Sequence, residues 1–119
     1  MNHNSDFDLD LQYGQIGEET LAKILSGKIE VKTERGQWKS TGNIAIEYSS
    51  RKKSSGILVT KSDWWCTVLM DKDNIDHIII TPVKKMKELF VKYFRMGNKV
   101  RGGDSNTSEL VLIPIKELI

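Results

Sequence analysis

From Lys28 onward the chain alternates between apolar and polar positions. Ile29, Val31 and Thr33 alternate with Glu30, Lys32 and Glu34. After a polar connection holding Gly36 and Gly42, Ile44, Ile46 and Tyr48 alternate with Ala45, Glu47 and Ser49. A period of two marks a half-buried strand, and two such runs joined by a glycine-containing link predict an antiparallel hairpin. Before it, Gly14–Ser26 predicts a helix, with Gly17, Leu21, Ile24 and Leu25 on one stripe and Gly27 ending it. Residues 1–13 read as an N-terminal arm. Within it Phe7, Leu9 and Leu11 alternate with Asp8 and Asp10, a short strand pattern.

After the hairpin comes a basic turn, Arg51–Ser55, and Gly56–Thr60 reads as a third strand. Ser62-Asp63 resembles a helix N-cap. Trp65–Met70 and Asp76–Thr81 read as two more strands around a turn at Asp71–Asn74. Pro82 opens a helix to about Met96, with Val83, Met86, Phe90, Val91 and Phe94 on its apolar face. Residues 97–108 form a loop rich in Gly, Asn and Ser, Leu110–Ile113 is a late strand, and Pro114 opens a last turn. This order predicts one α/β (α+β) domain over residues 1–119, with a central sheet flanked by helices.

Composition narrows the class. With 119 residues, 39% hydrophobic and 29% charged, the chain has material for one core. A single cysteine, Cys66, excludes an intramolecular disulfide, and its apolar neighbours make it a buried small hydrophobe. No apolar run approaches the ~18 residues of a membrane span. The polar, acidic start MNHNSDFDLD is unlike a signal peptide. The expectation is an intracellular, cytoplasmic protein without a membrane partner. The net charge is only +2, so affinity for nucleic acid must come from where the charges sit.

The first hairpin carries the candidate chemistry. If Glu34 pairs with Asn43, Glu30 stands directly opposite Glu47, with Lys32 beside Glu30 on the same face. Facing carboxylates repel unless a cation relieves them. Glu18 shares a stripe with Leu21 and Leu25, so it is expected to lean toward the sheet as a third carboxylate. Hard divalent ions such as Mg²⁺ or Mn²⁺ prefer carboxylate oxygens. They activate water and stabilise a leaving oxyanion, the two needs of phosphodiester hydrolysis. A neighbouring lysine can hold or deprotonate the attacking water.

At these residues the sequence resembles the PD-(D/E)XK (restriction-endonuclease-like) nuclease superfamily. The stretches IEVKTER, W-x-x-TGN-x-x-x-E, SGI-x-x-TKSDWW and GGD-x-N-x-S resemble its small phage-type nucleases. The resemblance implies a restriction-endonuclease-like core with a central mixed sheet. It makes Glu18 the helix acid, Glu30 and Glu47 the metal-binding strand acids, and Lys32 the lysine. The usual pattern places the lysine two residues after the second strand acid, where this chain has Ser49. Either the lysine has moved to the neighbouring strand, or Glu30-Val31-Lys32 is itself the E-x-K. Asp63 and Lys61 are second-rank candidates at the mouth of the site.

Three basic clusters suit phosphate contacts: Arg51-Lys52-Lys53; Lys84, Lys85, Lys87, Lys92 and Arg95; and Lys99 with Arg101. Trp38 could stack on a base or lie against a partner subunit. The expected function is Mg²⁺- or Mn²⁺-dependent endonucleolytic cleavage of duplex or branched DNA, with structure-selective cutting of substrates such as Holliday junctions implied by the resemblance. By analogy with resolvases of the superfamily, the protein would be a homodimer. The rivals are a nicking, restriction-like or single-strand nuclease, a nuclease-like fold serving only as a nucleic-acid-binding or protein-interaction module, and an interaction protein with no nucleic-acid role.

Overall fold

The computed structural model describes the backbone from His3 to Ile119 and the side chains from Asp8 onward; Met1 and Asn2 of the predicted arm lie outside the described residues. The fold is α+β. Its helices are α1 (His3–Ser26), α2 (Gln37–Thr41) and α3 (Val83–Arg95). The strands are β1 (Ile29–Glu34), β2 (Asn43–Ser50), β3 (Lys53–Ser54), β4 (Trp64–Asp71), β5 (Asn74–Pro82), β6 (Lys99–Gly102) and β7 (Ser108–Pro114).

They form two sheets, β1-β4-β5 and β3-β2-β7-β6. The predicted hairpin between Lys28–Glu34 and Asn43–Ser49 does not form. β1 instead pairs parallel with β4, Glu30 beside Trp65 and Lys32 beside Thr67. β2 pairs antiparallel with β7, Glu47 beside Leu110. The connection between β1 and β2 is not a tight turn. It folds into α2, stopped by Gly42 in the left-handed region at φ 72°, whose N–H donates to Trp38 O at 2.8 Å. That helical turn steers the chain into a different sheet.

The core lies between the inner sides of the two sheets and α3. Ile44 and Ile46 of β2 stand beside Ile113 and Val111 of β7 and are fully buried, as are Trp65 and Leu69 of β4. α3 contributes Val83, Met86, Leu89, Phe90 and Tyr93, a helical stripe. Leu89 and Tyr93 replace the predicted Val91 and Phe94, which are exposed. In β1 the expected sidedness is reversed. Val31, predicted for the core, is 56% exposed on the outer side of its sheet.

Other segments differ from expectation as well. Residues 3–13 continue α1 instead of making a strand. Gly56–Leu58 is a single 3-10 turn that buries Ile57. Part of the predicted 97–108 loop is strand β6, paired with β7. No helix cap forms at Ser62-Asp63, where the Asp63 carboxylate accepts from Lys28 N at 3.4 Å and Asp63 N donates to Lys28 O at 2.9 Å. Among the described residues no helix is long and apolar enough to cross a membrane.

Candidate carboxylate site and basic recess

β1 carries Glu30, Lys32 and Glu34 on the side it shares with Trp65, Thr67 and Leu69. Lys32 Nζ lies 5.9 Å from the Trp65 ring centroid, at the outer limit of a cation–π contact. Glu34 was not singled out in the sequence, although it closes the polar row of β1. Its carboxylate bridges to the other sheet, where Oε1 accepts from Ala45 N at 3.1 Å. Burial pushes the Glu34 carboxyl above its ordinary range, and that hydrogen bond pulls it part of the way back. Beneath the row, Trp65 Nε1 and Thr67 Oγ1 are buried and find no hydrogen-bond partner among the described residues.

Glu47 occupies a different place. It alternates with the buried Ile44 and Ile46, so it lies on the side of β2 turned away from the core. Both of its carboxylate oxygens are held. Ser108 Oγ donates to Oε1 at 2.8 Å and Ser55 Oγ donates to Oε2 at 3.0 Å. Gly56 packs directly on the Glu47 backbone; a Cβ there would come within 2.2 Å of the Glu47 carbonyl oxygen. Gly103 packs likewise on Ser108, with only 2.9 Å between a built Cβ and Oγ. Three separated stretches, TGN-x-x-x-E, SGI and GGD-x-N-x-S, thus meet around one carboxylate.

Beyond Glu47, β2 is interrupted by a β-bulge, after which Ser49 pairs with Glu109 while Glu47 pairs with Leu110; a recess of about 460 Å³ that includes Ser49 and Glu109 therefore opens on the sheet face opposite the Glu47 carboxylate. It is lined by Ser49, Arg51, Lys52, Arg101, Asn106, Thr107 and Glu109. Arg51 and Lys52 both adopt left-handed backbone conformations, φ 51° and 65°, as do Ser105 and Asn106 opposite them. Non-glycine residues with such φ values carry a conformational cost and concentrate at functional sites. The turn is fixed from its far side by Arg51 N donating to Thr107 O at 2.9 Å. Ser49 lines this recess, whose positive charge comes from Arg51, Lys52 and Arg101. An adjoining recess of about 280 Å³ shares Arg101 and Glu109 and adds Tyr48, Val100 and Lys99. Lys99 Nζ also stands 4.8 Å from the Phe94 ring centroid.

The remaining sequence candidates are dispersed. Glu18 is exposed on α1, away from the sheets it was expected to approach. Trp38, expected in an open loop, is buried, and its Nε1 donates to Met70 O at 2.7 Å. Lys53, Lys61 and Asp63 are exposed. On α3, Lys92 pairs with Glu117 at 3.2 Å, while Lys84, Lys85, Lys87 and Arg95 are exposed.

The expected facing of Glu30 and Glu47 across one ladder does not occur, because β1 and β2 belong to different sheets and present these residues on different sides. Among the described residues no three His, Cys, Asp or Glu side chains are grouped as a metal cage would require. A Mg²⁺ ion that keeps waters and binds substrate phosphate needs only one or two carboxylates. Glu47 fits that smaller role. Its orientation is fixed by two hydroxyls, and each oxygen retains a free lone pair. Comparison with protein families, with curated proteins and with solved structures finds no match to this chain.

Proposed function

We propose that the protein is a Mg²⁺- or Mn²⁺-dependent endonuclease acting on DNA, with Glu47 as metal ligand and the basic recess on the other face of its sheet as a phosphate-binding surface. The observation that carries this reading is the recess itself: three cations and one carboxylate, Glu109, around a space of about 460 Å³ at the end of the strand that also carries the oriented Glu47. Arg51, Lys52 and Arg101 would hold backbone phosphate oxygens, Arg by two parallel hydrogen bonds and Lys as a point charge. Ser49 and Thr107 add hydroxyls for the same oxygens. On the other face of the sheet, Glu47 would hold the ion together with water and a different phosphate of the same DNA. Such an ion, when bound, lowers the pKa of a coordinated water and stabilises the leaving oxyanion. The resemblance to the PD-(D/E)XK nucleases supports the same chemistry, and branched DNA is the proposed substrate.

One observation favours a second reading. Both Glu47 oxygens are engaged within the protein and no three-acid group accompanies them, as in a phosphate-binding module without catalysis. Cleavage of a labelled four-way junction, beside linear duplex and single strand, separates the two. Metal-dependent cutting, abolished by EDTA and preferring the junction, is the expected result. Binding in low salt without cutting, at saturating Mn²⁺, would establish the module instead. Glu30→Gln and Lys32→Met belong in the same assay and are expected to keep cleavage, because β1 lies in the other sheet from Glu47.

A further inference from the structure

Ile44, Ile46 and Tyr48 alternate along β2, and the regular ladder breaks at Tyr48. Glu47 pairs with Leu110 and Ser49 with Glu109, so Tyr48 is the extra residue of the β-bulge. A bulge bends its strand and re-aims the side chain it carries. The Tyr48 ring packs on Phe90 and Phe94 of α3, with centroids 5.5 and 5.4 Å away. Tyr48 is only half-buried, and it walls the recess of about 280 Å³.

This aromatic wall adjoins the cations. Across β2, β7 and β6, register sets Ser49, Glu109 and Arg101 in one row. Arg101 and Glu109 belong to both recesses, so the two are continuous. Lys99, two residues before Arg101 on β6, stands roughly 7 Å along the same side of the strand and lines the smaller recess. Phosphate-binding groups therefore run from Arg51 and Lys52 through Arg101 to Lys99. The joined recesses reach the ~300–1,000 Å³ of a small-ligand pocket.

Glu109 does not suit a surface that holds only phosphates, because its carboxylate repels them. Register sets it beside Arg101, yet among the described residues it enters no ion pair. The Tyr48 phenol senses both groups. Burial holds it above its ordinary value, the Glu109 charge adds to that, and Arg101 opposes. A carboxylate beside an aromatic wall suits a nucleobase, whose ring stacks and whose amino group donates. In a paired duplex the ring faces are stacked on neighbours and the pairing edges are engaged.

The geometry points to a binding site for an unpaired nucleotide of DNA, its phosphates on Arg51, Lys52 and Arg101 and its base against Tyr48 and Glu109. Cytosine is favoured over thymine, because its N4 amino group donates to Glu109 where thymine presents the O4 acceptor. The inference rests on the reading of the recess as a phosphate-binding surface and deepens it, since a branch point is where a duplex releases nucleotides from pairing.

The test is DNA affinity by fluorescence anisotropy in EDTA at low salt, where nothing is cut. Three labelled duplexes are compared: one with a short bulge of unpaired cytosines, the same with unpaired thymines, and the fully paired duplex. The cytosine bulge should bind about tenfold tighter than the paired duplex, the worth of one stacked base, and several-fold tighter than the thymine bulge. Tyr48→Leu should remove the advantage of both bulges, and Tyr48→Phe should keep it. Glu109→Gln, whose amide both donates and accepts, should erase the difference between cytosine and thymine. Circular dichroism reports whether each variant is folded, and Glu109→Gln decides the matter if Tyr48→Leu is not. Equal affinity for bulged and paired DNA, an unaltered advantage in folded Tyr48→Leu, or a cytosine preference kept by Glu109→Gln would each overturn the inference. So would free deoxycytidine monophosphate competing at the concentration of the bulged duplex. Binding without preference defeats this inference alone, and loss of all DNA binding defeats the phosphate-binding reading with it. A bulge preference without cleavage in Mn²⁺ defeats only the nuclease reading.

Discussion

Gly56 is the residue on which the carboxylate site is built most tightly. Its φ of +54° lies in the left-handed region, and a Cβ would overlap the Glu47 carbonyl oxygen. Gly56→Ala is expected to destabilise the fold by more than ~2 kcal/mol, combining backbone strain with displacement of β2; urea denaturation checks it. Thr67 presents the opposite case. Its buried hydroxyl has no partner among the described residues, so the near-isosteric Thr67→Val should leave stability unchanged or raise it by about 1 kcal/mol. A clear loss would mean that the hydroxyl is satisfied in solution. Glu34 couples stability to pH. Its folded carboxyl is shifted above the unfolded value, mainly by burial, so the folded state binds the proton more tightly. Stability from this group is fully present below the unfolded pKa and is lost as pH rises through the folded pKa. Glu34→Gln keeps an oxygen for Ala45 N and removes the buried charge. Its denaturation midpoint should exceed wild type at pH 7 and lose that advantage toward pH 4.

At the scale of elements, the alternation of β1 and β2 and the strands β4 and β5 were legible in the sequence, as was the amphipathic α3. Pairing was not. A period of two separates the faces of a strand without naming its neighbour, and the eight residues from Arg35 to Gly42 hid a helical turn behind a loop-like composition. Residues 3–13 were ambiguous for a related reason. Leu9 and Leu11 alternate like a strand, yet Leu9 and Tyr13 also stand four apart, and a short window does not choose between periods. Of the candidate site, Glu47 and the basic residues 51, 52 and 101 were visible as types. The meeting of Glu47 with Ser108, and of Arg51 and Lys52 with Arg101, depends on the pairing of β2 with β7 some sixty residues away, which one sequence does not reveal. Trp38 illustrates the cost of reading a loop as open. As a core residue of α2 it should lose about 3–5 kcal/mol of stability as Trp38→Ala. Trp38→Phe should lose roughly 1 kcal/mol with the bond to Met70 O and leave DNA affinity unchanged; weaker binding by a stable Trp38→Phe protein would restore the stacking role.

For the whole molecule, a net charge of +2 conceals a division into an acidic arm and a basic body. Binding to DNA should therefore be strongest at low salt. Arg101→Ala should lower the slope of log affinity against log salt by about one, uniformly across sequences, if Arg101 holds a phosphate. The chemistry itself is tested most directly at Glu47. Glu47→Gln keeps an oxygen for one serine and gives the other an amide N–H to accept, so the fold is expected to survive, as its circular dichroism will report. The decisive measurement is single-turnover cleavage of a four-way junction in Mn²⁺ by wild type and Glu47→Gln, with DNA affinity measured alongside. Cleavage lost by at least a hundredfold at near-unchanged affinity is the expected result. Cleavage retained by a folded Glu47→Gln protein would contradict a catalytic role for Glu47.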